Sequence, residues 1–142
     1  MAKNKARVVV DTNIWISFLI SSNFSLLRTL IEKDEIVLLF SNELIEELRD
    51  VILRPKMRRY FDLPRTFALF SLFDLYGEMV AVRSKNKLSR DPKDNFLLDL
   101  AVDGRADFLI TGDEDLLILR TIKKTRILRY PEFIEALSKH DK

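Results

Sequence analysis

The chemistry open to this chain rests on oxygen and on cationic nitrogen. Its 142 residues include no cysteine, one histidine and three glycines. Without cysteine there is no disulfide, no thiolate metal ligand and no thiol nucleophile. The one histidine, His140, stands third from the end of the sequence, where chains usually fray. A Ser-His-Asp triad, a histidine-ligated zinc and a histidine acid–base pair are therefore not expected. Gly77, Gly104 and Gly112 are too widely spaced for a glycine-rich phosphate loop. Carboxylates, hydroxyls, amides, lysines and arginines remain.

Four acids stand where hydrophobic patterning does not ask for them. Asp11 ends the β-branched run RVVVD, and Asp113 follows the apolar run FLIT. Asp94 opens a helical pattern and projects onto the face that carries Leu97, Leu98 and Ala101. Glu47 lies nearest the apolar face of another helical pattern, beside Leu44, Leu48 and Val51. Glu46 and Asp50 on that pattern, and Asp99 and Asp103 after Asp94, read as solvent-facing. Taken singly, each of the four has a local explanation as a helix cap, a turn residue or a surface charge. Taken together, clustered carboxylates repel one another and resist ionisation unless cations neutralise them. Hard divalent ions with oxygen ligands, Mg²⁺ or Mn²⁺, are suited to that task.

The elements that must position these acids follow from the apolar pattern. Arg7–Asp11, Ile36–Phe40 and Asp107–Thr111 read as short buried strands. A last strand is expected over Arg126–Tyr130 and an edge strand over Glu78–Val82. IWISFLI continues from the first strand as a helix or a buried stretch. Helices are expected over Phe24–Glu35, over Asn42–Leu53 with Ser41 as N-cap, and from Pro64 to Tyr76. Two more are expected over Asp94–Gly104, with Gly104 as C-terminal stop, and over Pro131–Lys139. Phe67, Phe70 and Phe73 at spacing three read as core, or as an oligomer face. Strands alternating with helices argue for an α/β fold around a parallel sheet. In open sheets of this kind ligands bind at the carboxyl ends of the strands, which places Asp11 and Asp113 on the functional edge.

Charge is segregated along the chain. Asp91 to Asp115 holds eight acids and two bases, whereas the remainder holds 22 bases and 14 acids. An acidic patch on a basic body suits a metal-dependent enzyme acting on a polyanion. Arg54, Lys56, Arg58 and Arg59 are candidate phosphate contacts, with Arg83, Lys85, Lys87 and Arg90 as a further set. The length suits one domain over 1–142, with a core of about 7–135 and flexible termini. No stretch approaches the roughly 20 apolar residues of a membrane span, and a cytoplasmic location is the default expectation.

The segments VVVDTNIWIS, LFSNELIEELRDVILRPKM and RDPKDNFLLDLAVDGRADFLITGDEDLL, in that order, resemble a PIN domain. The likeness runs from about Arg7 to Phe133 and is closest to the branch assigned as toxins of toxin–antitoxin pairs. It implies a three-layer α/β fold with a central, mainly parallel sheet flanked by helices. It implies a Mg²⁺- or Mn²⁺-dependent endoribonuclease whose acidic quartet maps onto Asp11, Glu47, Asp94 and Asp113. Supporting roles for Asn13, Asp91, Thr111 and Asp115 follow from the same likeness, as do an RNA substrate, a cognate antitoxin and a homodimer. Two other classes stay open. Asp11 after its strand suits an aspartyl-phosphate phosphatase or receiver, although position 13 is Asn where a second acid would be wanted. A non-catalytic RNA-binding or scaffolding PIN domain would keep the fold without the metal.

Overall fold

The structure is a computed structural model that describes residues 5–21 and 24–139. His140 and the chain ends expected to be flexible lie outside the described residues. Runs such as VVV, LLF and FLI are apolar on both sides of the pleat, so neither face tolerates water. They form the middle of a six-stranded sheet in the order β3 (Gly77–Met79), β2 (Ile36–Phe40), β1 (Ala6–Val10), β4 (Phe108–Ile110), β6 (Thr125–Leu128), β5 (Thr121–Ile122). All neighbours run parallel except β5 and β6. On the central strand, Val8 lies opposite Leu38 on one side and Phe108 on the other.

Helices cover the sheet to give three layers. In chain order they are α1 (Thr12–Ile20), α2 (Phe24–Glu32), α3 (Asn42–Ile52), α4 (Leu63–Tyr76), α5 (Asn95–Asp103), α6 (Glu114–Leu117) and α7 (Tyr130–Leu137). Among the described residues no helix is long and apolar enough to cross a membrane. The sheet grows from β1 to β3 in one direction and from β4 to β6 in the other. Strand order therefore reverses between β1 and β4, and a crevice opens there at the carboxyl ends.

An aromatic cluster ties three elements together under this edge. Trp15 of α1 lies 5.0 Å from Phe73 of α4 and 6.0 Å from Phe40 of β2, centroid to centroid. Only one end of the phenylalanine stripe reaches this core: Phe73 is 5% exposed, Phe70 is half-buried and Phe67 is 77% exposed. Residues three apart drift by about 60° around a helix at each step, so a stripe of three cannot share one narrow face.

The boundaries differ from expectation in informative places. Ser41 caps α3 by accepting the Leu44 N–H at 3.2 Å, as its sequence implies. The edge strand is shorter than expected and begins earlier, at Gly77. The β5–β6 hairpin has no counterpart in the sequence reading, because its turn carries Lys123 and Lys124 where Asn-Gly or Gly would signal it. Lys123 takes the left-handed conformation there, with φ of 52°.

Gly104 ends α5, but for a different reason from the one its residue type suggests. Its φ is −83°, and the left-handed position is Arg105 with φ of 51°. The Ala106 N–H reaches the Ala101 carbonyl at 2.9 Å and the Arg105 N–H reaches Val102, which together make a Schellman turn. Gly104 is required by close approach: a Cβ would lie 2.9 Å from the Leu100 carbonyl oxygen and 2.9 Å from Leu39 Cδ1. Two adjacent substitutions should then move stability in opposite directions. Gly104→Ala is expected to cost about 1–3 kcal/mol through overpacking. Arg105→Gly is expected to stabilise by about 1 kcal/mol through relief of the left-handed strain. Urea unfolding of both variants checks the pair, and a shift of the same sign in both would refute it.

Candidate active site

The crevice between β1 and β4 is built from strand ends. Asp11 leaves β1 directly into the first turn of α1, and its side chain serves two partners. Oδ1 accepts the Asn13 N–H at 3.2 Å, which caps the helix, and Oδ2 accepts the Thr111 hydroxyl at 2.7 Å. Thr111 follows β4 and is fully buried, while Asp11 is 7% exposed. The same hydroxyl accepts the Asp113 N–H at 3.0 Å, and Asp113 Oδ1 in turn accepts the Asp115 N–H at 2.9 Å, capping α6. One threonine thus links two acids from opposite sides of the strand-order reversal.

Glu47 enters from α3. The glutamate is exposed, but its Oε2 accepts the Thr12 hydroxyl at 2.6 Å, which holds the carboxylate against the start of α1. Asp94 precedes α5 and makes no side-chain cap to it. The local capping is done instead by Asp91, which accepts the Lys93 N–H at 3.0 Å. Freed from capping, Asp94 turns into the crevice. Its Oδ2 is buried and no donor among the described residues reaches it.

The acids act on one another. Burial pushes the Asp11 carboxyl up, opposed by the bonds from Thr111 and Asn13 and aided by the charges of Glu47 and Asp113. Asp94 is pushed up to about 7, first by burial, then by a carboxyl–carboxyl hydrogen bond and charge repulsion with Asp113, then by Asp91 and Asp11. A proton held near neutral pH between two carboxyls marks a place where a cation would be favoured.

The structure brings the four expected acids into one electrostatic unit and adds two of the supporting ones. Asp91, Asp94 and Asp115 each place an oxygen within 4.8 Å of the others, the one such group of three among the described residues. Asp94 is common to both sets. Arg90 pairs with Asp115 at 2.8 Å, and Arg129 pairs with Glu114 beside Asp113. Asn13 is exposed and takes part through its backbone N–H. Arg54, Lys56, Arg58 and Arg59 are exposed but follow the far end of α3, whose last residue, Ile52, lies about 7.5 Å along the axis from Glu47.

Two readings from sequence need correction or addition. Asp99 and Asp103 are not free solvent-facing charges; both are half-buried and accept hydrogen bonds from residues 83–86. Helical projection shows that they lie off the apolar face, but it cannot show that another segment lies over them. Thr12 is a site residue that patterning passed over; its position immediately after Asp11 was the available signal.

The raised carboxyl of Asp94 has a consequence for stability. The folded protein keeps this proton up to about pH 7, whereas the unfolded chain releases it near the ordinary value of 3.8. Between those values the folded state binds more protons, so stability falls as pH rises. Asp94→Asn cannot ionise, and in metal-free buffer its Tm should exceed that of the unsubstituted protein at pH 8. The advantage should shrink towards pH 4. Thermal unfolding in EDTA at both pH values measures it, and a difference independent of pH would refute the assignment.

Residues 7–115 match the PIN domain family model. The chain is also similar to an uncharacterized protein of Methanocaldococcus jannaschii, with 33% identity over 127 residues that make up 87% of this chain and 81% of the relative. No solved structure matches it. PIN domains are usually nucleases and generally use divalent metal ions. The matched region begins in β1 and ends at Asp115, so it takes in every acid of the crevice, and the chain belongs to the PIN domain family.

Proposed function

We propose that this protein is a divalent-metal-dependent endoribonuclease and the toxin of a type II toxin–antitoxin pair, with Asp11, Glu47, Asp94 and Asp113 as its catalytic acids. The observation that carries the reading is the buried Asp94 Oδ2, reached by no donor and facing acids whose charges raise its affinity for a proton. An all-oxygen, all-acidic donor set suits Mg²⁺ or Mn²⁺. Bound by these acids, such an ion supplies a Lewis acid that lowers the pKa of water and offsets charge on the scissile phosphate.

The chain's own residues set the geometry. Asp11 would be a ligand to the ion, oriented by the Thr111 hydroxyl and the Asn13 N–H. Asp113 is aimed by its cap to α6, and Glu47 by Thr12. Asp94 joins these acids to Asp91 and Asp115, which support them. Water attacks the phosphorus, the bond to the 3′ oxygen breaks, and the products carry a 5′ phosphate and a 3′ hydroxyl. Arg54, Lys56, Arg58 and Arg59 are assigned to more distant RNA phosphates. A single domain, a cytoplasmic RNA target, a homodimer and an antitoxin that occludes the crevice belong to the same reading.

Purified protein with Mn²⁺ or Mg²⁺ is expected to cut single-stranded RNA, with EDTA abolishing cleavage and with 5′-phosphate ends on the products. Asp11→Asn and Asp94→Asn should each lose cleavage. Thr111→Val, which removes two supporting bonds and no acid, should lower the rate by about 10–100-fold. Divalent ions should raise the Tm of the unsubstituted protein more than that of Asp94→Asn. RNA binding with neither cleavage nor a metal-dependent Tm shift would favour a scaffolding PIN domain instead.

A further inference from the structure

Residues 83–90 form no helix or strand, yet α5 bonds their backbone over most of its length. Asp103 Oδ2 accepts the N–H groups of Arg83 and Ser84 at 2.6 and 2.8 Å, and its Oδ1 accepts the Ser84 hydroxyl. One turn earlier, Asp99 Oδ1 accepts the backbone N–H and the side-chain amide of Asn86 at 2.6 and 2.9 Å. One turn earlier again, Asn95 Oδ1 accepts the Ser89 N–H at 3.0 Å. The fit has a metric basis: four helical residues rise about 6 Å and two extended residues about 6.6 Å. Donors at 84 and 86 therefore meet acceptors at 103 and 99 with little bending. The Ser84 and Arg83 bonds hold the Asp103 carboxyl below its ordinary range, so this clamp stays charged.

The exposure of residues 83–87 alternates, as it does in an extended segment pinned on one side. Ser84 and Asn86 are half-buried against α5, whereas Arg83, Lys85 and Lys87 are exposed. Among the described residues Lys85 and Lys87 enter no ion pair, and Arg83 makes none within 4.0 Å although its charge acts on Asp103, unlike Arg7, Arg28, Arg90, Lys124 and Arg129. Lys85 and Lys87, with Arg83 before them, form a row of exposed cations, spaced about 6.6 Å apart where the chain is extended. The row leads to the crevice, since Arg90 pairs with Asp115 and Asp91 lies in the acid group with Asp94.

We infer that residues 83–87 are a rail for the phosphates of a single RNA strand entering the acidic crevice, with Asp99 and Asp103 as positioning residues that set its spacing. The inference deepens the nuclease reading and rests on it for the choice of ligand. A regular row of cations suits a regular polyanion, and one row serves one strand. The acidic crevice at which the row ends repels an acidic peptide and RNA alike until a cation neutralises it. The choice of RNA therefore rests on the nuclease reading and on the regular spacing of its phosphates.

The test is fluorescence anisotropy of a 5′-labelled single-stranded oligoribonucleotide in EDTA, so that binding is read without cleavage. The variant carrying Arg83→Ser, Lys85→Ser and Lys87→Ser should bind about tenfold or more weakly, and the salt dependence of log Kd should flatten by about 2. Its Tm should match that of the unsubstituted protein. The variant carrying Asp99→Asn and Asp103→Asn is more cationic, so bulk electrostatics alone would tighten its binding; the rail requires weaker binding and a flatter salt slope. A merely structural role for the clamp would lower Tm and leave that slope alone.

Unchanged Kd and slope in the triple variant, or no RNA binding by the unsubstituted protein, would overturn the rail. Tighter or equal binding by the Asp99/Asp103 variant would overturn the positioning role. Competition by polyglutamate as effective as by RNA would overturn the choice of ligand. RNA held through the rail but never cut with Mn²⁺ would instead overturn the nuclease reading and leave the rail standing.

Discussion

A single buried hydroxyl couples the two halves of the crevice. Thr111 donates a hydrogen bond to Asp11 and accepts one from the N–H of Asp113, so the end of β1 and the turn after β4 are held in one register. Carboxylates of like sign separate unless something fixes them, and here the fixing agent is the packed sheet behind them. Val8, Val9, Leu109 and Ile110 are fully buried, and the strands that carry them cannot drift apart without opening the core. Burial first, and mutual repulsion after it, then raise the carboxyl pKa values of Asp11 and Asp94.

The two ends of the sheet treat acids differently. At the amino ends of the strands the charges are neutralised. Asp107 accepts the Arg7 N–H and pairs with Lys124, and Arg7 binds both Glu78 and the Gly104 carbonyl. At the carboxyl ends, Asp11, Asp94 and Asp113 have no basic partner among the described residues, and Arg90 pairs with Asp115. One residue type thus serves three purposes in this fold. Asp107 joins an ionic latch, Asp99 and Asp103 bind backbone amides, and the buried Asp94 Oδ2 is reached by no N–H or hydroxyl donor among the described residues. Which purpose applies depends on the donors within reach, and those come from segments distant in the chain.

Much of the architecture was legible because it depends on local physics. Ile36–Phe40 is a strand because an apolar run on both faces has to be central in a sheet, and Ser41 caps α3 because its hydroxyl lies within reach of the Leu44 N–H. The acids at 11 and 113 could be placed at the strand ends for the same reason. The phenylalanine stripe was less legible: Phe73 is core and Phe67 is surface, although both sit on one helix. The β5–β6 hairpin was not legible, since its turn uses a left-handed lysine that the surrounding sheet tolerates.

By itself the sequence determined the residue types available for chemistry and the local elements that carry them. With no cysteine and one terminal histidine, any metal site had to be built from oxygen. Tertiary structure alone decided which acids share a site and which bind the backbone. Asp94 and Asp99 are five residues apart, yet one faces Asp113 across the crevice and the other clamps Asn86. Spacing along a helix fixes the direction of a side chain. What it meets there is set by strand order and by the path of the 83–90 segment, and no local rule contains that information.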